Sequence, residues 1–121
     1  MPLLVVDAAN VVGSVPDGWW RDRAGATARL RDRLAPLAAA GVAGLGPPVE
    51  VVLVVEGAAR EVPAVEGVRV VAAPRSGDDA IVDLVGSEPG DRTRVVVTAD
   101  RALRERVQRL GASVIGPRAV R

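Results

Sequence analysis

Leu3-Leu4-Val5-Val6-Asp7-Ala8-Ala9-Asn10 decides how this chain is read: four apolar residues stop at a carboxylate, and an amide follows shortly after. An apolar run without polar alternation suits a strand covered on both faces, as in parallel α/β sheets, whose ligands gather beyond the carboxyl ends of the strands. The same design returns twice. Val51-Val52-Leu53-Val54-Val55 runs into Glu56, and Val95-Val96-Val97-Thr98-Ala99 runs into Asp100. Buried strands therefore deliver Asp7, Glu56 and Asp100 to their carboxyl ends.

Helical patterns separate these strands. Leu30, Leu34 and Leu37 form one apolar stripe between Arg23 and Ala40, and Gly41 stops the helix. Pro36 interrupts it, since an interior proline costs about 3 kcal/mol, and a kink or break is expected there. Ser76-Gly77-Asp78-Asp79 opens a second helix running to Val85, and Arg101 to Leu110 forms a third that buries Leu103, Val107 and Leu110. Val11 to Asp22, with Gly13, Pro16 and Gly18, reads as a loop from strand to helix, and the tail after Pro117 as loose. Val68 to Val71 suits an edge strand and Ala112 to Ile115 a short last one. Strands alternating with helices imply right-handed crossovers, hence a three-layer α/β/α sandwich on a mainly parallel sheet. Its expected strand order is 3-2-1-4-5, in one domain over residues 1–121.

Composition narrows the chemistry. Cysteine and histidine are absent, all sixteen basic residues are arginine, and no tyrosine occurs. Thiol nucleophiles, imidazole bases, Schiff-base lysines and Walker-type phosphate loops are thereby removed. A formal charge of +1 provides no global attraction to a polyanion, so nucleic acid would have to meet a local arginine patch. No apolar run approaches the roughly 18 residues of a membrane span, and no basic segment precedes the first strand. A cytoplasmic protein with no membrane partner is expected.

Parallel topology brings Asp7, Glu56 and Asp100 to one sheet edge, together with the helix start at Asp78 and Asp79. Asp83 follows Asp79 on the same helical face. Each acid has an ordinary structural explanation. Ser76 and Asp79 resemble a capping box, Asp78 suits the helix dipole, and Asp100 suits an N-cap. Together they are harder to dismiss, because clustered carboxylates repel unless a cation neutralises them, and oxygen ligands select Mg²⁺ or Mn²⁺. Among the cations, Arg101, Glu105 and Arg109 are spaced for salt bridges along a solvated helix face, whereas Arg75 precedes the acidic helix start and could meet a phosphate. Trp19 and Trp20 lie in a loop leaving the same strand end as Asp7, where a ring could pack on the core or stack on an unpaired base.

Three motifs carry a family resemblance. Val5-Val6-Asp7-Ala8-Ala9-Asn10, Gly77-Asp78-Asp79-Ala80-Ile81 and Val97-Thr98-Ala99-Asp100-Arg101-Ala102-Leu103 resemble the motifs of NYN domains in the PIN-like nuclease superfamily, especially its YacP-like branch. Ala9 stands where a tyrosine often precedes the asparagine. The resemblance implies a Mg²⁺- or Mn²⁺-dependent ribonuclease, and endonucleolytic hydrolysis of RNA phosphodiester bonds is expected. Asp7, Asp79 and Asp100 would hold metal, supported by Asn10, Asp78, Glu56 and Asp83, with Asn10, Arg75, Arg101, Trp19 and Trp20 toward substrate. Its partner would be RNA, single-stranded or ribosome-associated mRNA, and a homodimer is compatible. The alternative is a non-catalytic PIN-like module that binds RNA or protein. A receiver domain lacks its lysine here, and a small-molecule phosphohydrolase of the haloacid-dehalogenase type would need an acid where Ala9 stands.

Overall fold

The computed structural model describes residues 1–121. Five strands, β1 (Leu3–Asp7), β2 (Glu50–Val55), β3 (Val68–Ala72), β4 (Arg94–Val97) and β5 (Ser113–Ile115), form one sheet in the order β3-β2-β1-β4-β5. Every pairing is parallel. The all-parallel 3-2-1-4-5 sheet expected from the apolar strands is the one found.

The two faces of the sheet follow from the strands' period of two. Leu4, Val6, Val51, Leu53, Val55, Val95 and Val97 pack beneath α1 (Ala8–Gly13) and α2 (Arg23–Leu34). Leu3, Val5, Val52, Val54 and Val96 meet Ile81 and Val85 of α4 (Gly77–Gly86) and Leu103 and Val107 of α5 (Arg101–Arg109). Helix layers on both faces explain why these strands carry no polar alternation. The break at Pro36 occurs as its chemistry requires: α2 ends at Leu34, and a single turn, α3 (Leu37–Ala40), restarts after the proline. Gly41, with φ of 86°, then turns the chain out of helix.

Four expectations are corrected. The segment after β1 is a helix from its first residue, because Asp7 caps it by accepting from the Asn10 N–H (3.5 Å), and Ala8, Val11 and Val12 give it a buried face. Only the stretch beyond Ser14 is irregular, with a 3₁₀ turn at Trp19–Arg21. Leu110 is exposed: α5 ends at Arg109, and Gly111, at φ of 91°, carries the chain off the buried stripe. The ion pairs expected along Arg101, Glu105 and Arg109 do not form, and α5 is instead tied to α4 by Arg106 and Asp79 at 3.0 Å. Finally, the tail is seated. Pro117–Ala119 make a 3₁₀ turn, Val120 is buried, and the Arg121 guanidinium donates to the Ser14 carbonyl (2.9 Å).

One buried cation went unread in the sequence. Arg94 of β4 is enclosed with no acid beside it, and it donates to the carbonyls of Val85 (3.0 Å) and Leu110 (2.8 Å). These carbonyls belong to the C-terminal ends of α4 and α5, where the helix dipoles favour positive charge.

Candidate active site

Register places the acids. Asp7 pairs with Val54 and Val6 with Val97, so Thr98 comes abreast of Asp7, and Glu56 lies two residues beyond its partner on β2. Alternation then puts the side chains of Asp7, Glu56 and Thr98 on the α4/α5 face, continuing the rows of Val5, Val54 and Val96. Glu56 keeps this sense because its backbone is still extended (φ −148°, ψ 169°).

Asp7 is 5% exposed, and its carboxylate is held on two sides. Thr98 donates its hydroxyl to Oδ2 (2.9 Å), and the Asn10 N–H contributes a long contact to Oδ1. Burial pushes the carboxyl up to about 6 from an ordinary 3.8; the Thr98 and Asn10 bonds oppose this, and the charges of Asp78 and Glu56 add to it. Thr98 also accepts from the Asp100 N–H (3.1 Å), so one hydroxyl fixes the first acid and the backbone of the last. Asp100 caps α5 by accepting from the Leu103 N–H (2.9 Å). Glu56 accepts from the Gly77 N–H (2.7 Å) and so caps α4, whose next residue is Asp78.

Asp78 is the acid that joins the set. Its pKa is raised by burial and by Asp100 and Glu56, with a smaller contribution from Asp79, while Arg106 opposes them. The sequence reading gave the ligand role to Asp79 and kept Asp78 in support. In the structure the Asp79 carboxylate turns to Arg106 (3.0 Å), and with Asp83 and Arg75 it lines a separate surface recess. The physical reason is helical phase: Ile81 and Val85 face the sheet, and Asp79 points outward while Asp78 stays at the sheet edge.

Asn10 ties the site together from α1. Its side-chain oxygen accepts from the Ala99 N–H (2.8 Å), fastening the loop before Asp100 onto α1, and its amide nitrogen makes no hydrogen bond. Arg101 is exposed at the start of α5 and forms no ion pair. On the α1/α2 side of the sheet edge lies a cleft of about 320 Å³, bordered by Trp19, Arg23, Thr27, Glu56 and Arg75. Of the acids, Glu56 alone reaches it. Trp20 stands outside, 57% exposed, edge-on to Trp19 with ring centroids 6.0 Å apart. Sequence reasoning missed Thr98, although it had quoted it in the third motif, and missed Arg23 and Thr27 altogether. Thr98 was findable from register alone, whereas nothing local marks a helical threonine as lining a cleft.

The donors suit a hard divalent cation. Asp7, Glu56, Asp78 and Asp100 offer only oxygen, and no cation pairs with Asp7, Glu56 or Asp100. As the side chains stand, no three acids are gathered closely enough to share one ion.

No family model matches the sequence, and no curated protein matches it significantly. Among solved structures, Rae1 (YacP) from Bacillus subtilis superposes with a TM-score of 0.79 over 98% of this chain and 71% of its own, at 19% identity. The chain has the fold of Rae1. A tryptophan-to-leucine mutant of Rae1 matches with a TM-score of 0.74 and 21% identity, over 99% of this chain and 72% of the mutant. The likeness to Rae1 therefore extends over the whole sheet and both helix layers, and part of Rae1 lies outside it. No helix in the chain is long and apolar enough to cross a membrane.

Proposed function

We propose that the chain is a ribonuclease dependent on Mg²⁺ or Mn²⁺, acting on RNA within the cytoplasm. The observation that carries this reading is the placement of four carboxylates, Asp7, Glu56, Asp78 and Asp100, along one sheet edge, each delivered by a different element and only Asp78 with a cation, Arg106, near it. The motif resemblance to the YacP-like branch and the fold shared with the protein of that name support the same reading. When bound, a divalent ion supplies activation of water, polarisation of the scissile phosphate and neutralisation of the leaving oxygen, work that needs no histidine.

The chain's own residues have distinct tasks. Asp7, Asp78 and Asp100 hold the ion, and Glu56 assists from the rim with the oxygen not engaged by Gly77. Thr98 orients Asp7 and keeps its lone pairs directed toward the edge. Asn10 locks the Ala99 loop so that Asp100 stays in place, leaving its amide nitrogen to donate to substrate. Arg75 and Arg101 flank the edge as exposed guanidiniums suited to RNA phosphates.

The test is cleavage of single-stranded RNA with Mn²⁺, Mg²⁺ or EDTA. Wild type should cut only with metal. Asp7→Asn and Asp78→Asn should lose more than about 100-fold, and Asp79→Asn less than about tenfold. A wild type that binds RNA but never cuts it would establish the non-catalytic module instead, and an Asp7→Asn variant that cuts at the wild-type rate would overturn the site.

A further inference from the structure

The cleft on the α1/α2 side has a construction that the acidic edge does not explain. Its floor is apolar, made by Ala8, Val12 and Ala59, and its wall is the Trp19 indole with the Arg23 guanidinium carbon 5.3 Å from the ring centroid. That contact is a cation–π pair between guanidinium and indole. At the back stands Thr27 of α2, 3% exposed. No fully enclosed polar side-chain atom in the molecule lacks a partner, yet Thr27 makes no side-chain hydrogen bond. Its hydroxyl is therefore not fully enclosed, and the cleft is the opening that Thr27 lines. A hydroxyl on the wall of such a cleft, with no partner in the protein, is free to exchange a hydrogen bond with a polar ligand that takes the place of water there.

We propose that this cleft is a nucleobase pocket, which takes one unpaired base of the RNA strand while the adjoining phosphodiester lies at the acidic edge. The identification of the polymer as RNA rests on the ribonuclease reading; the preference for a base comes from the cleft. A phosphate alone has no use for an indole, and an aliphatic group has none for a buried hydroxyl. A planar polar heterocycle uses both, stacking on Trp19 and Arg23 and exchanging a hydrogen bond with Thr27. The cleft's volume is at the small end of ligand sites, which span about 300–1,000 Å³, as one base requires. Arg75, which also borders the cleft, is placed to meet a phosphate next to that base. Glu56, shared between cleft and acids, makes the two sites neighbours.

The experiment separates this pocket from the catalytic reading. In a Trp20→Phe protein the fluorescence comes from Trp19 alone. With EDTA present, it is titrated with the four nucleoside monophosphates and with ribose 5-phosphate. At least one nucleotide should quench Trp19 saturably and bind about tenfold or more tighter than ribose 5-phosphate, as base stacking on an aromatic provides. Thr27→Val, which keeps the shape and removes the hydroxyl, should weaken that nucleotide by about tenfold and leave ribose 5-phosphate unchanged. Equal affinity for nucleotides and ribose 5-phosphate would overturn the pocket, and so would a Thr27→Val variant, melting like its parent, with unaltered nucleotide binding. Cleavage of RNA with Mn²⁺ is read separately. RNA cut without base-dependent binding sinks the pocket and leaves the nuclease; nucleotides held through Trp19 and Thr27, with no RNA cut, do the reverse.

Discussion

Asp7 carries the sharpest conflict between folding and function. It is enclosed by apolar residues and faces two like charges, so its ionised form is costly in the metal-free protein. Its folded pKa of about 6 lies above the ordinary 3.8, so between these values the folded chain holds a proton that the unfolded chain has lost. Stability from this group is therefore fully present below about pH 4 and is lost as pH rises through about 6. Asp7→Asn removes that loss while its side-chain oxygen can still accept from Thr98. In EDTA the variant should be more stable than wild type at pH 8, by on the order of 2 kcal/mol, and the difference should shrink toward pH 4. Thermal melts across this range check it, and parallel pH profiles for the two proteins would refute it. Adding Mn²⁺ should reverse the order at pH 8, since the ion stabilises the protein that keeps the carboxylate.

At the scale of elements, much of the architecture could be read from apolar rhythm, because strands covered on both faces and helices with one apolar stripe leave plain marks. β2 was marked by the run Val51 to Val55, and the Pro36 break followed from a missing N–H. What escaped was decided by tertiary partners. α1 looked like a loop because Gly13 is a breaker, yet Asp7 behind it caps a helix and the core accepts Val11 and Val12. The acids were visible as a group, but the choice between Asp78 and Asp79 depends on helical phase against the sheet, which adjacent residues of one charge do not reveal. Arg94 was hidden by its neighbours' pattern, an arginine at the mouth of an apolar strand. It holds the ends of α4 and α5 to β4, and its loss leaves their carbonyls buried and unmet. Arg94→Met, similar in length but unable to donate, should destabilise by about 3 kcal/mol while leaving the helix starts that carry Asp78 and Asp100 intact. Urea unfolding measures the loss, and a change below about 1 kcal/mol would show that the bonds are dispensable.

The whole molecule is built around its first strand. β1 lies between β2 and β4, so Leu3 pairs with Glu50 on one side and Arg94 on the other. Removing everything after Gly90 should strip β1 of a neighbour and expose the row of Leu3 and Val5; such a fragment should show no cooperative melt, whereas the full chain does. A native-like melt in the fragment would show that β4 and β5 are accessory. The central place of β1 also sets a timetable for synthesis. β1 leaves the ribosome before β4 and waits for it before it can be enclosed on that side, and Asp7 gains Thr98 and Asp100 only when they have emerged. A nascent chain that stops short of Thr98 thus carries the first acid without the residues that orient it, and whatever chemistry this edge performs is withheld until that strand end has been made.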